Sequence, residues 1–201
     1  MKTKQVPACK PGRLDAIDSE SGLVNVVIDT PRHGRCKYKY DERTGLFHLG
    51  KILPLGSSFP YDFGFVPSTM GQDGDPIDVL VLMDEPVIVG CVVRVRVIGV
   101  VEAEQSEEGG ESVRNDRFIG VVDTPFNPPE VRSIHDLSEQ RLEEIEHFFV
   151  SYNDMEGRRF RPVGRRGKGH ARKMVDDAAV RSSRQTAQSN GKKRARGAKK
   201  R

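Results

Sequence analysis

Three carboxylates lie within six residues in the segment Asp73-Gly74-Asp75-Pro76-Ile77-Asp78, which runs directly into an apolar segment at residues 79–83. The apolar segment has the length and composition of a fully buried strand. Because carboxylates crowded at the end of such a strand repel one another by about 1 to 4 kcal/mol per close pair, we expect a positive charge among them. Oxygen-only ligands favour Mg²⁺, Mn²⁺ or Ca²⁺ over zinc.

An EF-hand loop and a turn with solvated charges are the two other structures considered for this acidic segment. An EF-hand loop requires an oxygen ligand at its fifth position and glycine at its sixth, where this chain has Ile77 and Asp78. The spacing therefore excludes an EF-hand. A turn whose charges are solvated is also compatible, because Gly-Asp-Pro is common turn chemistry. The segment alone leaves a metal site and an acidic turn open.

A second cluster of charge is basic and lies earlier in the chain. Residues 37–41 alternate lysine and tyrosine as in a strand, and residues 46–49 follow a turn and could pair with it. Such a hairpin places Lys37, Lys39 and Lys51 near one another, as a cationic rim suited to phosphate oxygens. A solvated edge strand protected by lysines is the alternative.

The elements that must position these charges are mostly strands. Apolar segments at residues 24–29, 87–102 and 118–122 predict strands, and the aromatic segment 59–65 indicates core packing. Many short strands followed by a late helix predict a mainly β fold with flanking helices (α+β), built as a small and mostly antiparallel barrel. The acidic and basic strand ends would then share one mouth.

One strong helix is predicted in the second half of the chain. Asp136 followed by Glu139 has the form of a helix N-terminus. Apolar residues then recur at helical spacing and predict a face packed on the sheet: Leu142, Ile145, Phe149 and Tyr152. A second, short helix is possible at residues 170–180.

Length and charge predict one domain with extensions. The chain has 201 residues, 36% hydrophobic and 31% charged, enough for one good core. We assign residues 1–22 to an N-terminal arm, 23–180 to the barrel domain with its C-terminal helices, and 181–201 to a disordered basic tail. The tail holds nine Lys or Arg and no acid, whereas the rest carries 24 basic and 29 acidic residues.

The sequence predicts a cytoplasmic protein without membrane insertion. It has no run of about 18 apolar residues, and its N-terminus lacks the apolar segment of a secretory signal. Three cysteines without a CxxC pair indicate reduced thiols. The basic tail could bind nucleic acid weakly, through its charge alone.

Motifs across the chain resemble the soluble family I inorganic pyrophosphatases, over roughly residues 20 to 175. The acidic segment at residues 73–78 fits the family signature. Four further motifs occur in the family's order: Lys37-Tyr38 before Asp41, Gly45 before Phe47, Phe59-Pro60 before Gly64, and His147-Phe148-Phe149 before Tyr152. The resemblance implies a five-stranded OB-type barrel, a homo-oligomer, and hydrolysis of pyrophosphate to two phosphates with Mg²⁺, or alternatively Mn²⁺, as the cofactor.

The resemblance also implies roles for individual residues. Asp75 is similar to the carboxylate that orients or deprotonates the attacking water. The implied metal ligands are Asp73, Asp78 and Asp116, and the implied phosphate contacts are Lys37, Lys51, Arg117 and Tyr152. Lys51 and Arg117 each exchange lysine and arginine relative to the family, which keeps the charge but changes the donor geometry.

Several positions depart from the family pattern. Gln105 lies about where another metal-binding Asp is expected, and either Asn115 or Asp116 must serve for a further one. Three more exchanges accompany them: Phe63 for a tyrosine, Asp29 for a glutamate and Asn153 for a lysine. The number of metal ions is therefore not fixed by the resemblance.

Two functions of other classes are weighed against hydrolysis. OB-type barrels often bind single-stranded nucleic acid, but three adjacent carboxylates at the mouth would repel a phosphodiester backbone. A catalytically inactive homologue is the second alternative. The chemistry of pyrophosphate favours the enzyme, because carboxylates hold metals and Lys or Arg hold the anionic substrate.

Overall fold

A computed structural model describes residue 11 and residues 14–107, 109–124 and 130–198. Residues 1–10, 12 and 13 of the predicted arm and residues 199–201 of the predicted tail lie outside these ranges. The strands are β1 Val24–Thr30, β2 Cys36–Asp41, β3 Leu46–Ile52, β4 Asp62–Phe65, β5 Asp78–Leu82, β6 Val92–Glu107, β7 Val113–Arg114, β8 Arg117–Val122 and β9 Arg158–Gly167. The helices are a 3₁₀ turn Ile134–Asp136, α1 Glu139–Asp154 and α2 Lys168–Ala198.

Five of the strands close into a ring in the order β1, β4, β5, β8 and β6, with β6 pairing back to β1. Neighbours in this ring are antiparallel except β5 and β8, which are parallel. Gly64 sits where β4 crosses β1 closely, since a Cβ there would lie 2.2 Å from the Val27 carbonyl oxygen. The ring confirms the predicted mainly β fold with a five-stranded OB-type barrel.

Strand β5 is buried on both faces, as its continuous apolar run predicts. Leu80 and Leu82 join the apolar cluster under α1, and Val79 and Val81 join the cluster under α2. Fully burying a side chain of this kind contributes about 1.5 to 3 kcal/mol. The acidic segment is thus attached to one of the most firmly held strands of the molecule.

The predicted β2–β3 hairpin forms and brings two of the three lysines together. Lys37 and Lys51 are register partners across it, next to a bulge. The ring of Tyr40 contacts the rings of Phe47 and Phe65, with centroids 5.2 and 6.2 Å apart. Because Phe65 belongs to β4, these contacts fix the hairpin to the barrel.

Helix α1 buries Leu142, Ile145, Phe149 and Tyr152, the face that the sequence predicts. The predicted N-cap was wrong. Ser138 caps α1, its side chain accepting a hydrogen bond from the Arg141 backbone N–H. Asp136 instead ends the 3₁₀ turn and forms a capping box with Ser133. Cap-forming residues occur in succession before α1, and the sequence prediction chose the wrong one as the start of the helix.

Strands β6 and β9 differ from the prediction. Strand β6 starts at Val92 rather than residue 87, because Gly90 has φ +87° in a turn, and it continues to Glu107. Strand β9, which the sequence did not predict, pairs with β6 along its length. Its arginines form ion pairs with the acids of β6, including Arg161 with Glu104 at 2.5 Å and Arg166 with Glu102 at 3.0 Å.

Helix α2 runs from Lys168 to Ala198 without a break, whereas the sequence predicts a disordered tail from residue 181. Its first half packs Ala171, Val175 and Ala178 against the barrel. The second half is rich in Ala, Arg, Lys and Gln and has no proline, so its intrinsic helix propensity favours continuation. In the described ranges, neither helix is both long and apolar enough to cross a membrane.

Candidate active site

A cleft of about 700 Å³ opens between the β2–β3 hairpin, the loop before β5, the C-terminal end of β6 and the C-terminal end of α1. It collects seven of the eight predicted site residues, Asp73, Asp75, Asp78, Lys37, Lys51, Arg117 and Tyr152. The eighth, Asp116, does not line it. Acidic and basic strand ends thus share one mouth, as the sequence predicts.

The acidic loop, residues 66–77, is closed at its base and at its tip. The Val66 N–H donates to the Ile77 carbonyl at 2.8 Å, and the Gly71 N–H donates to the Asp75 carbonyl at 2.7 Å. Asp73 Oδ1 accepts the Asp75 N–H at 3.1 Å. These bonds hold Asp73 and Asp75 in a tight turn ahead of β5.

Burial is the main cause that raises the pKa of Asp73 above its ordinary value, and the charges of Asp78 and Asp75 raise it further. The carboxylates of this loop therefore destabilise one another when ionised. A bound cation would relieve that repulsion. The predicted like-charge strain is present in the fold.

The donor chemistry of the loop fits a hard divalent cation. Asp73, Asp75 and Asp78 offer only oxygen atoms, as Mg²⁺ prefers. In the described ranges, no three His, Cys, Asp or Glu side chains form a group able to hold a metal ion by themselves. Mg²⁺ is commonly bound by one or two carboxylates together with waters and substrate phosphates, and this loop fits that mode.

Arg117 is the most firmly held cation of the cleft. It is only 5% exposed, and its guanidinium carbon lies 5.3 Å from the ring centroid of Phe149 and 5.5 Å from that of Phe160. Its Nη1 donates to Asp78 Oδ2 at 2.8 Å. The two rings and the carboxylate fix the plane of the guanidinium, so a planar arginine suits this position better than lysine.

A short chain of hydrogen bonds extends from Arg117 to the wall of the cleft. Nη1 of Arg117 also donates to the Asn115 side-chain oxygen. The Asn115 side-chain amide donates in turn to Gln105 Oε1 at 3.0 Å. Neutral amides thus line this end of the cleft where the resemblance implies carboxylates.

The hairpin lysines approach the cleft from the other side. Lys37 Nζ lies 4.9 Å from the Phe63 ring centroid, and Lys51 Nζ lies 4.7 Å from that of Tyr152. Burial lowers the pKa of Lys51 to about 8, and the nearby charges of Lys37 and Arg158 add to this. Burial raises the pKa of Tyr152, so its hydroxyl stays protonated.

Asp29 is a carboxylate that lines the cleft from β1 and is itself buried, with 8% exposure. Burial raises its pKa to about 7, against the opposing effects of Lys37 and of the hydrogen bond from the Thr30 hydroxyl. That bond, Thr30 Oγ1 to Asp29 Oδ1, measures 2.7 Å. Asp29 is thus poised to exchange a proton near neutral pH.

Asp116 lies behind the acidic loop rather than in the cleft. Its carboxylate is paired with Arg114 at 2.8 Å and accepts the Ala103 N–H at 3.0 Å. The adjacent Asn115 is the residue of this segment that reaches the cleft. Asn115 thus lines the cleft, whereas Asp116 lines the neighbouring pocket together with Asp73 and Asp78. Which of the two residues serves the metal stays a prediction.

Sequence reasoning missed several residues of the cleft, including an ion pair beside Lys51. Glu156, just after α1, contacts the Lys51 ammonium group, and Arg158, at the start of β9, pairs with Glu156 at 3.6 Å. No local pattern marks them, because they reach the cleft only through the packing of α1 and β9 against the barrel. The signal available in the sequence was an acidic residue, Glu156, just after the helix.

An OB-type barrel with carboxylates and fixed cations at one mouth defines a class of enzyme that acts on phosphate groups with a metal ion. Comparison with known proteins gives the family. The family model described as inorganic pyrophosphatase matches residues 26–183. The chain belongs to the inorganic pyrophosphatase family, which confirms the resemblance.

Individual relatives agree with this assignment. The inorganic pyrophosphatase of Geobacillus stearothermophilus is 35% identical over 169 residues, covering 83% of this chain and 98% of the relative. The relative from Synechocystis, also named inorganic pyrophosphatase, is 39% identical over 137 residues, covering 68% of this chain and 78% of its own. The crystal structure of the Thermus thermophilus inorganic pyrophosphatase superposes with a TM-score of 0.78 at 34% identity, over 87% of this chain and 99% of that one.

Proposed function

We propose that this protein hydrolyses pyrophosphate to two phosphates in a reaction that requires Mg²⁺, with Mn²⁺ as a possible substitute. The observation that carries the proposal is the single cleft that combines Asp73, Asp75 and Asp78 with Lys37 and Arg117. Membership of the inorganic pyrophosphatase family supports the substrate.

The cations of the cleft would bind the substrate. Pyrophosphate carries several negative charges, and Lys37, Lys51 and Arg117 supply donors that the cleft already orients. The aromatic rings beside these cations limit their motion. Tyr152, whose hydroxyl stays protonated, would donate a further hydrogen bond to a phosphate oxygen.

The carboxylates would hold the metal and prepare the water. We assign Asp73 and Asp78 as metal ligands in the cleft. Asp116, the third predicted ligand, pairs with Arg114 and lines the neighbouring pocket that Asp73 and Asp78 also line, so its metal role stays a prediction. Bound Mg²⁺ would lower the pKa of a water molecule and neutralise phosphate charge. Asp75, at the tip of the acidic loop, would orient that water and accept its proton.

The test is phosphate release from pyrophosphate by the purified protein. We expect release with Mg²⁺ and none with EDTA. Absence of release at every Mg²⁺ concentration, from a folded protein, would contradict hydrolysis and favour the inactive homologue. The same assay with tripolyphosphate or ATP would show whether the cleft accepts larger substrates.

Nucleic-acid binding is a second candidate function, and the basic half of α2 is the feature that favours it. Segment 181–201 carries nine Lys or Arg and no acid. Binding through charge alone is weak and falls steeply as salt rises. A gel shift at low and high salt tests it, and persistence at high salt would require a site in the barrel.

We also propose a cytoplasmic homo-oligomer. Free thiols at Cys36 and Cys91 suit a reducing compartment. Exposed apolar side chains on and after β3 support association, among them Leu49, Ile52 and Leu55. Analytical ultracentrifugation tests the assembly, and a monomer at micromolar concentration would contradict it.

A further inference from the structure

Helix α2 makes direct contact with the acidic loop at Met70, three residues before Asp73. The Met70 N–H donates to the Ala178 carbonyl at 3.1 Å. The Met70 carbonyl accepts from Arg181 Nε at 3.0 Å. Both polar groups of the Met70 backbone are therefore satisfied by one turn of α2, and by no other element in the part of the chain that the structure describes.

Met70 lies between the two parts of the loop that the loop closes by its own hydrogen bonds. The base is closed by Val66 with Ile77, and by Thr69, whose hydroxyl accepts the Ile77 N–H at 3.0 Å. The tip is closed by Gly71 with Asp75. Met70 joins these two closed parts, so its position sets how the tip is placed relative to the base.

Side-chain packing does not fix that position alone. A pocket of about 130 Å³ lies between the loop and α2, and its lining includes Gly71, Asp73, Met174 and Arg181. Space of this size directly behind Asp73 leaves the loop room to move toward the helix. The two hydrogen bonds to α2 then determine the distance between helix and loop.

We propose that Arg181 is a positioning residue for the acidic loop. Its hydrogen bond to the Met70 carbonyl holds Asp73 and Asp75 toward the cleft, where the proposed reaction needs them. The inference rests on the proposed function only for its catalytic consequence, since the contact itself is a property of the fold. It also assigns a role to the first residue of the segment that the sequence treats as a separate tail.

Arg184 provides a matched control. It is the next arginine along the same helix, it is exposed, and no hydrogen bond from it to the acidic loop occurs in the described ranges. Arg181→Ala and Arg184→Ala therefore remove the same charge from the same helix. Only the first removes the contact with Met70.

Hydrogen exchange of the segment 66–78, followed by mass spectrometry without metal, tests the contact. We expect exchange about three- to tenfold faster in Arg181→Ala than in the wild-type protein, the range for losing one hydrogen bond, and unchanged exchange in Arg184→Ala. Equal exchange in the two variants would overturn the proposal.

Hydrolysis at varied Mg²⁺ tests the consequence. The Mg²⁺ concentration for half-maximal rate should rise by a similar factor in Arg181→Ala, while the melting temperature stays within the range of the Arg184→Ala control. An unchanged Mg²⁺ dependence would overturn the positioning role. If no variant or wild-type protein hydrolyses pyrophosphate, the proposed function fails, and the exchange comparison still decides whether Arg181 holds the loop.

Discussion

At the scale of single residues, the cations of the cleft differ in how firmly their side chains are held. Arg117 is buried between two phenyl rings and bonded to Asp78, so its charge and orientation are fixed before any ligand binds. Lys37 and Lys51 lie at the hairpin beside aromatic rings and keep rotatable ammonium groups. Fixed donors cost little reorganisation on binding, which is how preorganised charge stabilises a transition state.

The two lysines of β2 provide a first prediction. Lys37 pairs with Lys51 across the hairpin and lies over the Phe63 ring, whereas Lys39 pairs with His48 further along. Lys37→Ala should lower kcat/KM for pyrophosphate by about 10- to 100-fold, the range for a charge-assisted hydrogen bond. Lys39→Ala should cost clearly less. Equal losses in steady-state assays would show that the hairpin is placed differently over the cleft.

Asp29 predicts how stability depends on pH in EDTA. Its folded pKa of about 7 lies above the ordinary value of 3.8, so the native state holds a proton that the unfolded chain releases. The stability that Asp29 contributes is then full below pH 4 and falls as the pH rises to 7, by about 4 kcal/mol between these two pKa values. Asp29→Asn, which keeps an acceptor for Thr30, should remove this fall.

Urea unfolding of the two proteins between pH 4 and pH 8 measures the difference. The exposed Asp84 provides the control, since Asp84→Asn changes the same charge outside the cleft. Parallel stability curves for Asp29→Asn and the wild-type protein would contradict a buried, proton-holding carboxyl group at this position.

At the scale of elements, α2 belongs partly to the barrel and partly to the tail. Truncation after Arg184 keeps the contact with Met70 and removes seven of the nine basic residues of segment 181–201. We expect hydrolysis within about twofold of the full chain, as for changes away from packed features, and loss of low-salt nucleic-acid binding. Truncation after Val180 removes Arg181 and should instead raise the Mg²⁺ concentration for half-maximal rate. Loss of hydrolysis in the protein truncated after Arg184 would show that the rest of α2 has a structural role.

Elements with a strong local pattern were predictable from the sequence. Strand β5 has an unbroken apolar run, the β2–β3 hairpin has clear alternation, and α1 has apolar residues at helical spacing. Strand β9 was missed because it is rich in arginine, and its stability comes from pairing with β6 rather than from its own composition. The length of α2 was missed because a polar, basic composition is compatible with both helix and disorder.

The same distinction applies to the site. Asp73, Asp75 and Asp78 were predictable because one tight loop and one strand bring them together. Asp116 was predicted from the resemblance alone. In the structure, the Asn115 side chain accepts a hydrogen bond from Arg117 in the cleft, whereas the Asp116 carboxylate pairs with Arg114. One residue of strand register changes which side chain reaches a cleft, and sequence spacing does not fix register.

At the scale of the whole molecule, charge is divided between two regions with different partners. Residues 1–180 carry 24 basic and 29 acidic residues, yet the cleft within them gathers lysines and arginines. A net acidic body disfavours polyanions in general, while a local cationic cleft accepts a small one. The basic residues beyond Arg184 would then serve the proposed nucleic-acid binding without altering the substrate that the cleft selects.

Asp78, held by Arg117 at the start of β5, is the residue that we propose as a metal ligand for pyrophosphate hydrolysis. Initial rates of phosphate release across a Mg²⁺ titration, for the wild-type protein and for Asp78→Asn, test this most directly. We expect a rate that rises and saturates with Mg²⁺ in the wild-type protein, and a loss of about two orders of magnitude or more in the variant, partly recovered at high Mg²⁺. Wild-type rates for folded Asp78→Asn at limiting Mg²⁺ would contradict the role of Asp78 as a metal ligand.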